Sequence, residues 1–438
     1  MKIIEFSKTY AYLIYLQREF IYGQRLLPCF LGENMGNKMF DALIIGGGAA
    51  GLMCAISSKQ KNKNLKVAIV EKNSRVGKKL LSTGNGRCNL TNANVAPDKY
   101  HGTFFNGAKN ILSHYPTQRI IDIFAKLGLL TYCDNEGRYY PLCRQASAVL
   151  DVLRFACERY GVEVFTSQNI KNLKKHGDSF ICNTDDYSFK SKKLVLSNGS
   201  KASPKLGGNA SAADYAKNFN HKFIPFSPAL CPIEVKSDVL KSLKGLRATG
   251  KVELGNGNIL RSEVGEIQFT EKALSGICIF NLSVLSKKGM KIHIDFLNNY
   301  SSKEILSLLE QNRNLFSGQS ADCLLTGIFQ KRLGQAVMKM AGFTNFSDKC
   351  RDIPNIQLKK IASICKNTEF EVTANCGFDQ AQAALGGVCG NEIDENTMQS
   401  KKTKGLYFCG EAIDICGDCG GYNLHFAFAS GHLAGANL

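Results

Sequence analysis

The clearest pattern of hydrophobic and polar positions lies between residues 41 and 71. Two short apolar runs, Ala42–Ile45 and Leu65–Val70, flank an Ala-rich segment of helical character. Short apolar runs on either side of a helix are typical of parallel strands joined by a crossover. The pattern therefore predicts a β-α-β unit.

The turn from the first strand into this helix carries three glycines in the spacing G-x-G-x-x-G. Gly46 would permit the tight turn, Gly48 would let the backbone approach a pyrophosphate, and Gly51 would let helix and strand pack closely. The second strand ends on Glu71, whose carboxylate would accept hydrogen bonds from an adenosine ribose. We therefore predict a dinucleotide site, the alternative being a glycine-rich turn in another kind of α/β protein.

The alternation of strands and helices continues to about residue 200. Helical periodicity covers Ile111–Leu127 and Ala146–Tyr160. Strand-like runs follow at Glu163–Phe165, Phe180–Asn183 and Lys193–Leu196, the last of which ends in another strand-to-loop turn.

The character of the chain changes after this turn. Prolines and short β-type runs occupy His221–Glu253 and continue through the segments IQFT and ICIFNLS, after which Ser302–Gly342 turns helical. A β-type run, Gly405–Cys409, and a helix, Phe426–Ala436, close the chain. We expect an α/β fold in which a Rossmann-like domain is formed by both chain ends and is interrupted by a β-rich insertion with a helical subdomain. The predicted boundaries are an N-terminal appendage at 1–38, the first part of the dinucleotide domain at 39–200, the insertion at 201–372 (β-rich at 221–300, helical at 302–345), and the second part of the dinucleotide domain at 373–438.

Composition fits a soluble globular protein, with 44% hydrophobic and 21% charged residues among 438. The apolar run nearest the N-terminus, Ala11–Leu16, is broken by Gln17, Arg18 and Glu19, too soon for a membrane span or a secretory signal. We expect a cytoplasmic protein that does not span a membrane. Residues 1–38 would be an appendage to the fold or the product of an over-long start assignment.

The net charge is +18, from 55 Lys and Arg against 37 Asp and Glu. Such an excess attracts polyanions, and a basic protein of this size can hold RNA electrostatically. The lysines are spread along the chain, however, so the excess also fits a Lys-rich composition that only aids solubility.

The 17 cysteines are scattered, and several lie in apolar patterns typical of buried, reduced thiols. The close pair is Cys416 and Cys419, in ICGDCGG. The C-x-x-C spacing is compatible with a redox dithiol beside a cofactor. No thioredoxin-like pattern surrounds the pair, which favours two small residues in a glycine-rich loop, and without a second paired motif no metal site is expected.

A second cofactor element is predicted near the C-terminus. The strand at 405–409 leads into Gly410 and Glu411. Together with the N-terminal glycine motif, this arrangement resembles flavoproteins with two dinucleotide-binding domains, and the resemblance implies that Gly410 and Glu411 would serve the ribityl chain and pyrophosphate of FAD. The next helix would point its positive N-terminal end at the flavin, where reduced flavin carries negative charge. The residues that would open this helix are Gly420, Gly421, Tyr422 and Asn423. NAD is the competing dinucleotide, but it needs no such second element.

Four further segments occur in order at family-specific intervals: STGNGRCNLTN (82–92), EGRYYPLCRQASAVLDVL (136–153), GEIQFTEKALSGICIFNLS (265–283) and GEAIDICGDCGGYNLHFAFASG (410–431). On these segments the chain, from about Met39 to Leu438, resembles the HI0933-like flavoproteins, a bacterial family of FAD-dependent oxidoreductases. The resemblance implies a Rossmann-like FAD-binding domain with an inserted β-barrel-like domain and a helical subdomain. The cofactor contacts expected from the motifs and the resemblance are Gly46, Gly48, Ala49, Ala50, Gly51, Glu71, Lys72, Lys79, Gly84, Asn198, Gly199, Gly410, Glu411, Asp414, Gly420, Gly421, Tyr422 and Asn423.

Three positions depart from the family's pattern. Ser82-Thr83-Gly84 stands where a Ser-Gly pair is usual, and Asn198-Gly199-Ser200 stands where Thr-Gly-Gly is favoured. Both changes keep small or polar groups, so FAD binding should be preserved. Glu271 occupies a position where the family often has His, so a mechanism that rests on that imidazole fails here.

Reduction of an alkene by a flavin also needs a proton donor. Arg87, Cys88 and Asn89 lie in a loop that could face the flavin ring, and the Cys88 thiol could deliver the proton. We favour the alternative that this loop only packs against the flavin, with Cys88 as a buried filler. Tyr422 is the second candidate donor.

The resemblance leaves the substrate open. Members of the family are linked to reduction of carbon–carbon double bonds in steroid-like molecules, to dihydrouridine formation in ribosomal RNA and to amine oxidation. The positive charge favours uridine in 23S ribosomal RNA or its precursor. The alternatives are a conjugated alkene in a small apolar molecule, a flavin and dithiol redox sensor, and an amine oxidase. NADH or NADPH is expected as a transient electron donor, since the chain shows no second complete glycine fingerprint.

Overall fold

The computed structural model describes residues 36–438. The strands in this part are β1 Gly36–Ile45, β2 Val67–Val70, β3 Thr91–Asn92, β4 Tyr100–His101, β5 Thr131–Cys133, β6 Arg138–Pro141, β7 Glu163–Phe165, β8 Asn172–His176, β9 Ser179–Asn183, β10 Tyr187–Leu196, β11 Phe223–Ala229, β12 Ile233–Lys236, β13 Arg247–Asn256, β14 Asn258–Phe269, β15 Ala273–Ser275, β16 Lys291–Asp295, β17 Thr368–Asn375, β18 Ala383–Val388, β19 Leu406–Phe408 and β20 Cys416–Gly417. The α-helices are α1 Ala49–Lys61, α2 Phe105–His114, α3 Thr117–Lys126, α4 Ala146–Arg159, α5 Ser211–Asn218, α6 Leu240–Leu243, α7 Ile277–Ser283, α8 Ser302–Leu315, α9 Lys331–Met340, α10 Asn355–Lys366 and α11 Tyr422–Ala436.

The first domain is built on a seven-stranded sheet in the order β7-β2-β1-β10-β9-β8, with β19 also pairing with β10. Strands β7, β2, β1, β10 and β19 are parallel, and β9 and β8 add an antiparallel edge. All four residues of β2 are buried, as expected where helices cover both faces of a parallel sheet. Because β19 comes from the end of the chain, the domain is formed by both chain ends, as predicted.

Helices α1 and α11 pack backbone to backbone. A Cβ atom added at Gly431 would lie 2.3 Å from the carbonyl oxygen of Ala50, and one at Gly435 would lie 2.2 Å from that of Cys54. Only glycine permits so close an approach. The contact holds α11 against α1, so the first and the last helix of the described residues pack side by side.

The insertion contains a closed antiparallel barrel in the order β12-β15-β14-β13-β16-β17. The chain leaves the first domain through β11 and returns through β18, and these two strands pair antiparallel from Phe223↔Val388 to Ala229↔Ala383. The β-rich insertion is therefore confirmed, and its strands form a barrel.

The helical part lies in the connection between barrel strands β16 and β17. Helix α8 begins with a capping box, in which Ser301 and Glu304 each bond the other's backbone N–H. Side chains of α8, α9 and α10, such as Leu309, Val337 and Ile361, share one core with the barrel. Helix α10 lies beyond the predicted helical range of 302–345.

Three sequence-based expectations need correction. The predicted helix Ile111–Leu127 is two helices, since Pro116 has no N–H to donate and separates α2 from α3. The segment ICIFNLS is helix α7 and not a strand. Strand β1 begins at Gly36, inside the predicted appendage, while residues 1–35 of that appendage lie outside the described residues.

No helix within residues 36–438 is long and apolar enough to cross a membrane. In the same range, no group of three or more His, Cys, Asp or Glu side chains is placed to hold a metal ion.

Candidate active site

The glycine turn before α1 has the geometry that its sequence predicts. Gly46 has a φ of +101°, and an added Cβ would lie 2.7 Å from the Cα of Asn198. At Gly51 an added Cβ would lie 2.0 Å from the carbonyl oxygen of Gly46. At Gly48 it would meet nothing within 4 Å. Gly46 and Gly51 are therefore required by the fold itself, whereas Gly48 borders open space at the N-terminus of α1.

The N-terminus of α1 is suited to a phosphate. Gly48 is the N-cap residue, so no side chain satisfies the first N–H groups of the helix. Free N–H groups and the positive end of the helix dipole attract an anion. Ala49 and Ala50, the first helical residues, keep this end of the helix small and uncharged.

Glu71 lies at the end of β2 and is buried. Its Oε2 accepts the Gly47 N–H at 2.9 Å, and its Oε1 accepts the Asn73 N–H at 2.8 Å. The carboxylate thus holds the glycine turn against the strand end, where its remaining lone pairs are available to a ribose. Lys72, the next residue, is exposed and forms no ion pair in the described part of the chain.

The end of β10 forms the neighbouring wall of the turn. Ser197 Oγ lies within hydrogen-bond distance of two carbonyl oxygens, that of Ile45 at 2.8 Å and that of Gly46 at 2.9 Å, and it can donate its proton to either one. Asn198 Oδ1 is buried and has no hydrogen-bond partner in residues 36–438. Gly199 has a φ of +73° and open space where a Cβ would stand. A buried acceptor without a partner beside open space is the mark of a site that expects a ligand.

Two predicted cofactor residues meet as an ion pair. Lys79 Nζ lies 2.7 Å from Glu411 Oε2, and Ser200 Oγ donates to the same oxygen at 3.1 Å. Gly410, just before this carboxylate, donates its N–H to Ser430 Oγ of α11 at 3.0 Å. Three segments that are distant in sequence therefore converge at the end of β19.

The side chains of Asp414 and Asn423, in contrast, brace loops. The carboxylate of Asp414 accepts the N–H groups of Thr103 at 2.9 Å and Gly386 at 2.8 Å. The amide of Asn423 bonds both the N–H and the carbonyl oxygen of Gly417 at 2.8 Å. These hydrogen bonds hold the loop that precedes α11.

Helix α11 begins at Tyr422, after two glycines with positive φ; this start lies within the segment expected to open the helix and four residues before the predicted start at Phe426. At Gly421 an added Cβ would lie 2.7 Å from Asn89 Oδ1, which is buried and has no hydrogen-bond partner among the described residues. The loop of Gly84 and Asn89 therefore lies directly against the N-terminus of α11.

Cys88 does not face the open part of this site. Its side chain is fully buried in the core of the first domain, and burial raises its thiol pKa to about 12. The structure supports the interpretation of Cys88 as a buried filler. Its neighbour Arg87 is exposed and stacks over the ring of Tyr140, at 4.7 Å from the ring centre.

The Tyr422 hydroxyl has different surroundings. The side chain is largely buried, and the hydroxyl forms no hydrogen bond in the described part of the chain. Burial of the ring, together with the nearby carboxylates of Asp418, Asp98 and Glu263, raises the hydroxyl pKa to about 12. The group therefore stays protonated at neutral pH. Glu263 belongs to the barrel, so Tyr422 lies where barrel and first domain meet.

Sequence reasoning missed the ion pair that joins these two domains. Arg261 of β14 donates to Asp418 Oδ1 at 2.9 Å and to Oδ2 at 2.6 Å, and His101 Nε2 lies 3.0 Å from Oδ1. Burial tends to raise the Asp418 pKa, but hydrogen bonds from His101 and Arg261 outweigh it and hold the pKa below its usual range. Asn281 of α7 adds a bond from the Cys419 N–H at 2.8 Å. Asp418 lies inside a quoted motif, but nothing in the sequence marks Arg261 as its partner.

The same loop contains the Cys416 and Cys419 pair, and neither thiol is activated. Cys416 is fully buried, and burial raises its pKa well above the ordinary value. Burial also raises the pKa of Cys419 to about 11. A redox dithiol needs a thiol with a lowered pKa, so the structure favours the interpretation as small residues in a tight loop.

These features fit the predicted FAD. The free N–H groups at α1 suit a pyrophosphate, Glu71 suits a ribose, and the N-terminus of α11 suits the flavin ring. A Cβ added at Gly48 would meet no protein atom within 4 Å, and Asn198 and Asn89, whose amide oxygens have no partner among the described residues, lie beside Gly46 and Gly421 respectively.

Comparison with known proteins agrees with this fit. Residues 40–437 match the family described as HI0933-like protein Rossmann domain. The 3-dehydro-bile acid delta(4,6)-reductase of Clostridium scindens is 35% identical over 402 residues, which cover 90% of this chain and 97% of the reductase. The ribosomal RNA dihydrouridine synthase of Escherichia coli is 28% identical over 92% of this chain and 98% of the synthase. That of Haemophilus influenzae is 24% identical over 91% and 98%.

Proposed function

The chain belongs to the HI0933-like family of FAD-dependent oxidoreductases, and from this premise we propose that it reduces a carbon–carbon double bond, with uridine in ribosomal RNA as the favoured substrate. One observation carries the reaction type. The Tyr422 hydroxyl, protonated and without a hydrogen-bond partner among the described residues, stands at the start of α11, while the competing Cys88 thiol lies in the core of the first domain.

Reduction of a double bond adds a hydride to one carbon and a proton to its neighbour. FAD, when bound, supplies the hydride, which it first receives from an external donor. Tyr422 gives its hydroxyl proton to the second carbon and is reprotonated from water. Its raised pKa keeps the proton in place until the substrate binds. Lys79 and Glu411 would hold the cofactor, and Gly420 and Gly421 would let its ring approach the helix.

Substitution of the donor tests the reaction. Tyr422→Phe should lower the kcat for product formation by about 100-fold or more, the usual contribution of a general acid. Cys88→Ala tests the competing donor and should have a much smaller effect. Both rates are divided by the FAD content of each variant. A large loss in Cys88→Ala with little loss in Tyr422→Phe would contradict the assignment.

NADH or NADPH is the proposed external donor. The described chain has one glycine turn of the dinucleotide type, at Gly46–Gly51, so the nicotinamide cofactor would dock transiently. Anaerobic mixing of the FAD-loaded protein with each nucleotide should bleach the flavin absorbance near 450 nm, an approximate wavelength common to flavins. If neither nucleotide bleaches the absorbance, this donor is wrong.

Uridine is favoured by charge and by two relatives. The net charge of +18 gives affinity for a polyanion through counterion release, which a neutral apolar substrate does not need. The Escherichia coli and Haemophilus influenzae relatives are ribosomal RNA dihydrouridine synthases. A base in a stacked helix cannot reach a flavin, so the target uridine must be unpaired or turned out of its stack.

A conjugated alkene in a small steroid-like molecule is the second candidate. The higher identity, 35%, to the bile acid reductase of Clostridium scindens favours it. The purified FAD-loaded protein with its nicotinamide donor should be given, in parallel, unmodified ribosomal RNA and a steroid dienone. Dihydrouridine formed in the RNA supports the first candidate, and reduction of the dienone alone supports the second.

A further inference from the structure

A stack of two exposed arginines and the two tyrosines between them lies beside the active site; the Tyr140 ring is buried and Tyr132 is half-buried. The guanidinium of Arg87 is 4.7 Å from the ring centre of Tyr140, and the Tyr140 ring stacks on that of Tyr132 at 5.8 Å and 29°. The guanidinium of Arg144 lies 4.9 Å from the ring centre of Tyr132. We call these four residues, Arg87, Tyr140, Tyr132 and Arg144, the Arg–Tyr ladder.

Both arginines of the ladder keep most of their donors free. Both are exposed, and neither forms an ion pair in residues 36–438. Arg87 uses only its Nε, which donates to the carbonyl oxygen of Gly84 at 3.2 Å, and the guanidinium of Arg144 has no hydrogen bond there. Arg144 is also held at a φ of +57°, a backbone conformation that costs energy in a residue with a Cβ.

The acidic residues of this hairpin do not neutralise the ladder. Asp134 and Glu136 lie in the turn between β5 and β6, at the end of the hairpin opposite Arg144. Both bind Arg138, at 2.9 and 2.8 Å. The two ladder arginines therefore present fixed positive charge to solvent.

Apolar surface adjoins this charge. Leu130 and Leu142 are 67% and 58% exposed, and the Leu142 N–H donates to the carbonyl oxygen of Leu130 at 2.8 Å. Exposed leucines next to the flat guanidinium groups give bases a surface on which to pack.

The ladder is continuous with the active site through one loop. Arg87 is two residues before Asn89, whose amide lies against the start of α11. Gly86, on the other side of Arg87, accepts the N–H of Ala146 at the start of α4, which fixes the loop to the segment of Arg144. A ligand on the ladder would therefore reach the mouth of the site.

We propose that the Arg–Tyr ladder docks the single-stranded RNA that flanks the target uridine. The free guanidinium edges bind phosphates, while the outer guanidinium faces and the exposed Leu130 and Leu142 side chains pack against flanking bases. Phosphate contacts fix the register of the strand, so the ladder would set which nucleotide enters the site. The inference rests on the proposed RNA substrate.

The test measures RNA binding to the FAD-loaded, full-length protein. The probe is a fluorescein-labelled U12 oligoribonucleotide, titrated by anisotropy at several salt concentrations. Arg144→Gln should weaken binding about tenfold and reduce the slope of log K against log salt by about 0.7, the value for one lost phosphate contact on a single strand. Tyr132→Leu should weaken binding with little change in slope, because it removes the ring that holds the Arg144 guanidinium in place and leaves the charge unchanged.

Arg159→Gln is the matched control. Arg159 also stacks on a tyrosine, 5.0 Å from the ring centre of Tyr160, and the change removes the same charge. It is the last residue of α4, at the end opposite the ladder, roughly 20 Å away for a helix of this length. It should change the affinity by less than about twofold, the effect of one remote charge at moderate salt.

Two results would overturn the inference. One is an equal effect of Arg144→Gln and Arg159→Gln on U12 binding. The other is an Arg144→Gln variant that binds U12 normally but has a raised KM for NADPH, which would assign the ladder to the nicotinamide donor. Failure of this inference can be distinguished from failure of the proposed function. U12 binding reports on the ladder, whereas mapping of dihydrouridine in cells reports on uridine reduction.

Discussion

Single residues at the glycine turn serve different partners. Gly46 and Gly51 are required by contacts with the protein, as the 2.7 and 2.0 Å distances from their added Cβ atoms indicate. A Cβ added at Gly48 would meet no protein atom within 4 Å, which leaves room for a ligand. The G-x-G-x-x-G spacing predicted the tight turn at Gly46 and the close packing at Gly51, because a motif of local backbone geometry is written in consecutive residues. The approach of a pyrophosphate at Gly48 stays a prediction.

This difference gives a clean prediction for Gly48. Gly48→Val should abolish FAD binding, measured as flavin absorbance per protein after purification, because the side chain fills the space that the pyrophosphate needs. The free energy of unfolding of the FAD-free protein should change little, since the new atoms meet no protein atom and φ is −82°.

Gly318→Val is the control, because Gly318 also has open space for a Cβ and lies in the helical part of the insertion. It should keep its FAD. A Gly48→Val protein that purifies with a full complement of FAD would contradict the site.

Among the elements, α11 joins the site to the core. Its residue His425 is fully buried, with Nδ1 2.7 Å from Thr91 Oγ1 and with Nε2 unpartnered among the described residues. Burial lowers its pKa to about 4. The imidazole is therefore neutral at physiological pH.

A lowered histidine pKa makes the fold sensitive to acid. Because the folded-state pKa is below the unfolded value of about 6.5, the unfolded chain binds the proton first as the pH falls. The contribution of His425 to the free energy of unfolding is fully present above about pH 6.5. It declines as the pH falls towards 4, by on the order of 3 kcal/mol in total. Urea unfolding at several pH values should show a weaker decline in His425→Gln than in the exposed control His176→Gln. An equal decline would contradict the assignment.

Elements defined by local pattern were predictable, and those defined by packing were not. The strands and helix around Gly46, and the late strand and helix, follow from apolar runs with clear flanks. Segment ICIFNLS is apolar throughout and short, so periodicity cannot separate strand from helix. Its helix depends on Gly276 at a φ of +114° and on Gly265 of β14, where an added Cβ would lie 3.3 Å from Cys278 Cβ.

At the scale of the whole molecule, Arg261 and Asp418 couple the barrel to the loop that opens α11. The pair spans 157 residues of sequence and joins two domains, so no local pattern could predict it. The closed order of the barrel strands could not be predicted from the sequence either, because it depends on pairings between distant segments.

Separation of the pair should be costly. Asp418→Asn or Arg261→Met alone should lower the free energy of unfolding by about 3–5 kcal/mol, since each leaves a buried charge or its partners unsatisfied. The double variant should lose less than the sum of the two, as residues in direct contact do. Because hydrogen bonds hold the Asp418 pKa low, the cost of Asp418→Asn is full above the unfolded pKa of about 4 and is lost as the pH falls below it. Strictly additive losses would contradict the coupling.

The most direct test of the proposed function is to delete the gene and map dihydrouridine in 23S ribosomal RNA. The account predicts that one dihydrouridine disappears in the deletion strain, returns with the wild-type gene, and does not return with the Gly48→Val variant. An unchanged dihydrouridine map in the deletion strain would contradict the RNA substrate and favour the small conjugated alkene.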